Sequence, residues 1–433
     1  MNTLIRGATV LTVNENQEIM PEADVIIEGQ TISYVGPKKD WNRSFGRTIS
    51  GSGKLLAPGF VNAHGHAAMT LLRSFADDVP LMYWLEKRIW PVEAKLKRED
   101  VYWGTLLAIA EMLKSGTTTF TDMYFFMDQV AEAAEEAGIR AVLARGLVGI
   151  GHLAEKGLEE SEQFISNWHG RAASRITTML GPHAPYTCPP EYLHKVLTLQ
   201  EKLHVPIQIH LAETLEEVRR INERYGVSPT ALLRDTGLLA RPVIAAHCVH
   251  LSMEDMDILR DFNVHVAHNP GSNLKLGSGI APVPDLLDRG IIVGLGTDGA
   301  ASNNNLDMLE EMRLAALLHK GSRMDPTAIT AREALSMATS QSAKAVFLND
   351  VGMVASGMKA DLIMFDLHKP HLTPQHDLIA HLVYAAQPGD LTLVMVDGKI
   401  LLENGELTTL DEEKILFQAQ ERAMHLVREE AEK

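Results

Sequence analysis

Histidines, a glutamate and an aspartate stand in this sequence where short apolar runs end. His64-Gly65-His66 closes the run GFVNAH. Residues i and i+2 of a strand point to the same side, so both imidazoles can face one ion, and Gly65 lets backbone come close. His210-Leu211-Ala212-Glu213 closes VPIQIHLAE, His247 stands at the end of PVIAAH, and Gly296-Thr297-Asp298-Gly299 closes IIVGLGTDG. A His-x-His pair alone says little in a chain with 18 histidines, where two surface or capping histidines would read the same. What sets this chain apart is that all these groups recur at run ends together. Three imidazoles and a carboxylate suit Zn2+, and also Fe2+ or Mn2+. A catalytic ion of this kind keeps a position open for water and lowers its pKa toward about 7. The chemistry expected is hydrolysis by a metal-activated hydroxide.

Such groups need a frame that brings run ends together. Eight candidate strands occupy the middle of the chain: GFVNAH, TTTFTDM, RAVLARGL, ITTMLGPH, VPIQIHLAE, PVIAAHCVH, VHVAHN and IIVGLGTDG. Most are continuous apolar runs rich in β-branched residues, as expected of strands buried on both faces. Segments with helical spacing and acidic first turns, such as QVAEAAEEAG and TLEEVRRINERYG, separate them. This alternation implies an α/β fold, a (β/α)8 TIM barrel, whose active site belongs at the carboxyl ends of the strands. The first 56 residues and the region after about 357 have a different texture of short alternating strands, as in ADVIIEGQTISYVG and LTLVMVDGKILLENGE. Each piece alone is too small for a comfortable core, so both termini are expected to build one small β-sandwich domain. The expected division is 1–56 with 357–433 for that domain and 57–356 for the barrel. The closing DEEKILFQAQERAMHLVREEAEK reads as an amphipathic helix.

Composition narrows the partners. The chain has 433 residues, 45% hydrophobic and 22% charged, with a formal net charge of −16. That charge would be repelled by a nucleic-acid backbone or an anionic membrane, so neither is expected as a partner. No run approaches the roughly 20 apolar residues of a membrane span, and the N-terminal MNTLIRGATVLTV lacks the apolar run of a signal peptide. Cys188 and Cys248, the 2 cysteines, form no CxxC pair, which speaks against a thiolate zinc cluster or a dithiol redox site. A reducing cytoplasm fits. Homo-oligomerisation stays open.

The segments LAPGFVNAHGH, HLAE, AHCVHL, HNPGSNLKLGSGIAP and GTDGAASNNNLDM resemble the amidohydrolase superfamily in its one-metal deaminase branch. The resemblance runs through essentially the whole chain, including GMKADLIMFD near the far end. Within that branch WLEKRIWPVE, ARGL and GPHAPYTC are most similar to the 5-methylthioadenosine/S-adenosylhomocysteine deaminases. The resemblance implies one divalent metal per subunit held by His64, His66, His210 and Asp298. It implies that Glu213 shuttles a proton to the ring, that His247 hydrogen-bonds the hydroxide or the departing group, and that Asp298 also serves as base. Glu93, Arg145 and His183 match substrate-contact positions beside Glu213 and Asp298, with Trp84 as a nearby wall. The implied substrate is a small nucleoside, deaminated to its inosine derivative with loss of ammonia. A guanine or cytosine deaminase or a triazine hydrolase would share the same metal ligands, and a non-catalytic metal-binding scaffold would be expected to lack some of them. After Arg145 the loop GLVGIGHLAEKG offers only Lys156 as a further cation, so no two-arginine clamp for a carboxylate tail is evident.

Overall fold

The computed structural model describes residues 2–14, 16–151 and 154–428. Five strands come first: β1 (Asn2–Leu11), β2 (Ile19–Glu28), β3 (Thr31–Pro37), β4 (Arg47–Ser50) and β5 (Lys54–Pro58). Eight parallel strands follow at the expected runs: β6 (Phe60–Asn62), β7 (Thr117–Tyr124), β8 (Arg140–Leu147), β9 (Ile176–Pro182), β10 (Ile207–Leu211), β11 (Val243–His247), β12 (His265–His268) and β13 (Val293–Leu295). The last four are β14 (Leu362–Asp366), β15 (Leu391–Val396), β16 (Lys399–Glu403) and β17 (Glu406–Leu407).

The eight parallel strands pair in chain order from β6 to β13. Two backbone hydrogen bonds draw the ends of that ring together, Ala63 N to Leu295 O at 2.8 Å and Asp298 N to His64 O at 3.1 Å. The seam therefore runs between the residues that follow β6 and the end of β13 with the turn after it. Strand residues alternate between two environments. Val61, Ala63, Val142, Ala144, Ile244 and Ala246 share one apolar cluster, while Phe60, Ala141, Leu143 and Ala245 pack into the larger core with the helices. Both faces of these strands are thus buried, which is why they read as unbroken apolar runs.

The covering helices have legible ends. Leu215–Tyr225 starts at Thr214, whose side chain accepts from Glu217 N, and stops at Gly226 in the left-handed region at φ 74°. Met253–Asp261 begins with a reciprocal Ser252/Asp255 capping box.

The strands from both ends of the chain form one nine-stranded mixed sheet in the order β17-β16-β15-β14-β5-β1-β2-β3, with β4 on β1. The two ends meet where β14 runs antiparallel to β5, Ile363 opposite Ala57 and Met364 opposite Leu56. The strand period of two separates the sheet's faces. Leu55, Ala57, Ile363 and Phe365 join the barrel's core, whereas Leu56, Leu362 and Met364 pack with Ile5, Val10 and Val25 in a core of the sheet's own. A buried ion pair reinforces the contact: Arg140 at the start of β8 donates to Asp361 at 2.8 and 3.1 Å and to Asp397 at 2.5 Å. Removing one partner of such a buried network costs about 3–5 kcal/mol.

The closing helix, Glu412–Val427, lies against the barrel helix Arg98–Lys114 through Lys114–Glu412 at 2.6 Å and Arg422–Asp100 at 3.0 Å. The rest of its expected length, residues 429–433, and residues 152–153 of the loop after Arg145 lie outside the described residues. Among the described residues no helix is long and apolar enough to cross a membrane.

Candidate active site

The groups singled out at run ends converge at or just beyond the carboxyl ends of β6, β10, β11 and β13. Asn62 sets the first turn. Its side-chain oxygen accepts from His64 N at 3.4 Å and Thr297 N at 3.1 Å, and its amide donates to Thr297 Oγ1 at 2.7 Å. One asparagine thus ties the turn after β6 to the turn after β13. Gly65 lets the backbone pass closely between the two histidines: a Cβ there would stand 3.3 Å from Thr121 O, a tight contact, and 3.4 Å from Asp298 O.

The imidazole tautomers follow from their backbone partners. His66 Nδ1 donates to Met123 O and His210 Nδ1 donates to His183 O, both at 2.7 Å. A carbonyl only accepts, so each Nδ1 carries a proton, and it is Nε2 of each ring that offers a lone pair to an ion when the ring is neutral. These two Nε2 atoms face each other at 3.3 Å. Asp298 Oδ1 lies 3.2 Å from His66 Nε2 and 3.5 Å from His64 Nε2. Among the described residues, neither ring nitrogen of fully buried His64 has a hydrogen-bond partner. Acceptors packed this closely repel one another unless a cation lies among them. Burial works to keep His66 neutral, yet the hydrogen bond and charge of Asp298 raise its pKa to about 9, so positive charge is favoured at this point. Candidate ligand atoms of His64, His66 and Asp298, and likewise of His64, His210 and His247, lie within 4.8 Å of one another. Donors of this kind at this spacing fit one divalent ion.

The carboxylate of Asp298 is divided between two tasks. Its Oδ2 accepts from Ser272 Oγ at 2.6 Å and Ser302 Oγ at 2.9 Å, which leaves Oδ1 toward the histidines. Burial opposes its ionisation, but His64 and His66 hold it well below the usual carboxylate range. His247 donates from Nδ1 to Asn273 Oδ1 at 2.9 Å and turns Nε2 toward Glu213, 3.9 Å away. Three turn residues here, Ala212, His247 and Asp298, have positive φ of 50°, 72° and 59°. The backbone is bent to aim these side chains, at a cost typical of functional sites.

Glu213 differs from Asp298 in its surroundings. Burial pushes its carboxyl up and outweighs the pull of His247, and the charge of Asp298 adds to the rise. Its backbone is held from behind: Glu217 accepts from Ala212 N and Glu213 N, each at 3.0 Å. Burial pushes Glu217 up to about 8, despite those donors.

His66, His210, His247, Glu213 and Asp298 line a cavity of about 810 Å³, whose wall also includes Trp84, Glu93, Arg145, Lys156 and His183. His64 lies wholly behind that surface. The size suits a nucleoside-sized ligand. Glu93 accepts from Tyr124 OH at 2.6 Å, and burial raises its pKa. Burial lowers His183 to about 4, so its ring is neutral at pH 7, and its Nδ1 lies 2.9 Å from Thr187 Oγ1. Arg145 is not free: Nε and Nη2 donate to Glu160 Oε2 at 3.0 and 2.8 Å, and Nη1 donates to Gly146 O. Lys156 meets the other oxygen of Glu160 at 3.4 Å. Cys188 and Cys248 are buried with thiol pKa values raised by that burial, which makes poor nucleophiles of them.

Sequence reasoning left out Asn62, Tyr124, Glu160, Glu217, Ser272, Asn273 and Ser302. The spacing Thr214-x-x-Glu217 is the usual mark of a capping box, but the Glu217 side chain turns instead to the residues before the helix. Ser272 and Asn273 stand in the quoted run HNPGSNLKLGSGIAP, which carried no assigned role for them.

A family model described as amidohydrolase family matches residues 55–401. The 5-methylthioadenosine/S-adenosylhomocysteine deaminase of Pelotomaculum thermopropionicum is 56% identical over 99% of this chain and 100% of its own length. The protein of the same name from Syntrophomonas wolfei is 51% identical over 99% and 100%. Among solved structures, an adenosine deaminase from Xanthomonas campestris with bound zinc superposes with a TM-score of 0.94 at 35% identity, covering 98% of each chain. An atrazine chlorohydrolase of Arthrobacter aurescens in complex with zinc superposes with a TM-score of 0.91 at 28% identity, covering 97% of this chain and 100% of its own.

Proposed function

This chain belongs to the amidohydrolase family, and from that premise we propose that it hydrolytically deaminates 5′-methylthioadenosine and S-adenosylhomocysteine, giving the inosine derivatives and ammonia. The observation that carries this reading is one cavity with a cation-demanding cluster at its floor, an acid of raised pKa beside it, and Glu93 and Arg145 on its wall. The residues to hold the ion are His64, His66, His210 and Asp298. A bound divalent cation, for which these donors suit Zn2+ and also Fe2+ or Mn2+, would supply a water acidic enough to attack near neutral pH and would stabilise charge on oxygen.

The chain's own groups then move the protons. Asp298 Oδ1 takes one from the attacking water, since Oδ2 is engaged by Ser272 and Ser302. As oxygen bonds to C6 of the adenine ring, Glu213 gives its proton to N1, so charge does not accumulate there. His247, its Nδ1–H fixed on Asn273, presents Nε2 to the oxygen added at C6. Asp298 passes its proton to the amine, the C6–N bond breaks and ammonia leaves. Glu213 recovers a proton from the C6 hydroxyl, which leaves the carbonyl form of the product. Acid–base steps of this kind contribute about 10²–10⁴-fold each. On the wall, Tyr124 holds one oxygen of Glu93 and leaves the other for ribose hydroxyls, Arg145 meets the tail beyond the 5′ sulfur, and Trp84 and His183 bound the base.

The test is ammonia release from methylthioadenosine, S-adenosylhomocysteine and adenosine beside guanine, cytosine and a chlorotriazine, compared as kcat/KM. The 5′-thioether nucleosides should lead. A free base or the triazine outperforming every nucleoside would overturn the assignment, because Glu93 would then have no ribose to meet.

A further inference from the structure

We propose that Glu160 is a specificity-determining residue that tunes the Arg145 wall for a tail carrying an ammonium and a carboxylate together. The inference rests on the deaminase reading above and concerns the end of the substrate farthest from the reacting carbon.

Arg145 enters the cavity from β8 with its donors largely committed. Nε and Nη2 both donate to Glu160 Oε2, Nη1 donates to Gly146 O, and the guanidinium lies 5.1 Å from the centre of the Phe125 ring. Of the five N–H groups of an arginine, this leaves one on each terminal nitrogen. Glu160 keeps Oε1 toward Lys156 at 3.4 Å, and its side chain is 40% exposed. Arg145, Lys156 and Glu160 all line the cavity. Although partial burial opposes it, Arg145 and Lys156 hold the Glu160 carboxyl below its usual range, so it stays charged at neutral pH.

The wall therefore offers donors and an acceptor side by side. A tail bearing only a carboxylate meets an arginine whose charge is already balanced and a glutamate that repels it. Lys156, 65% exposed on its side chain, compensates weakly, since charges so open to water contribute little. A tail bearing both groups on one carbon has its carboxylate reach the remaining N–H groups of Arg145 while its ammonium reaches Glu160. A methylthio tail brings no charge and is indifferent to the pair. Specificity of this kind works through a repulsive element against the wrong ligand as much as an attractive one for the right ligand.

The test compares the unaltered protein with Glu160→Gln, which keeps the size of the side chain and removes its charge at a half-open position. Three substrates are used: S-adenosylhomocysteine, its analogue lacking the α-amino group, and methylthioadenosine. Each kcat/KM is expressed relative to methylthioadenosine in the same protein. The proposal expects the amino-free anion to gain about tenfold in the variant and S-adenosylhomocysteine to lose several-fold. If the two charged substrates shift in parallel, or neither shifts, Glu160 does not select between them and the proposal is overturned. If the unaltered protein turns over none of the three, the deaminase reading itself falls and this proposal with it.

Discussion

The floor and the wall of the cavity treat charge in opposite ways. At the floor, ligand atoms of His64, His66, His210 and Asp298 crowd together, and His64 is fully buried with neither ring nitrogen hydrogen-bonded among the described residues. On the wall, Arg145, Glu160 and Lys156 satisfy one another at the edge of solvent. The floor is built on strand ends and cross-tied by Asn62, Ser272 and Asn273; the wall sets Arg145 of β8 against Lys156 and Glu160 of the helix Ala154–Trp168. A rigid floor that needs a cation suits chemistry common to many substrates. A self-satisfied, half-exposed wall suits choice among them, since exchanging one partner there costs little.

The largest way to break this contrast is to remove the residue on which the floor turns. Asp298→Ala deletes a ligand and a base together and should lower kcat/KM by about 10⁴-fold or more, even where some metal remains by mass spectrometry. A loss below a hundredfold would mean that the floor does not depend on this carboxylate. Glu213→Gln should keep the metal and lose about 10²–10⁴-fold in turnover, because glutamine keeps the shape but relays no proton. A loss under tenfold would assign ring protonation to another group.

Changes on the wall should be smaller and substrate-dependent. Arg145→Met is expected to reduce S-adenosylhomocysteine turnover roughly tenfold more than methylthioadenosine turnover. An equal effect on both would place Arg145 with the shared nucleoside or with the fold.

The smallest effect expected lies behind the floor. Glu311 accepts from Gly271 N at 2.9 Å and Asn303 Nδ2 at 2.8 Å, and burial pushes it up to about 8. Unfolded, it titrates near 4.5. Between those values the folded chain keeps a proton that the unfolded chain has lost, so stability is fullest below about 4.5 and declines as pH rises through about 8. Tm should fall between pH 6 and pH 9, and Glu311→Gln should flatten part of that decline by a few degrees. Only part is expected, because Glu217 shifts in the same direction. An unchanged slope in the variant would show that Glu311 is already ionised in the folded chain.

The same contrast governs what could be read from the sequence. Strands buried on both faces must be apolar runs, so a polar residue closing such a run stands out; that is why His64, His210, His247 and Asp298 were visible before any coordinates. The meeting of the two termini was visible too, since neither piece could bury a core alone. Partners across the fold were not. Glu160 lies fifteen residues from Arg145 on a helix of ordinary charged composition, and Tyr124 stands just past the run TTTFTDM with nothing to mark it. Glu217 carried a signal that pointed elsewhere, to a capping box, because sequence spacing does not say which backbone amides a side chain will find. The supporting serines and asparagines have short side chains common in any turn, and only their distances to Asp298 and His247 give them meaning.

The central claim is that the four floor residues hold one divalent ion on which nucleoside deamination depends. It is tested most directly by stripping the purified protein with a chelator, removing the chelator, and titrating Zn2+ while following ammonia release from methylthioadenosine. Activity should be lost on stripping and return in proportion to added metal, saturating at one equivalent per chain, with no such recovery in Asp298→Ala. Full deaminase activity in the stripped protein, verified metal-free, would contradict it.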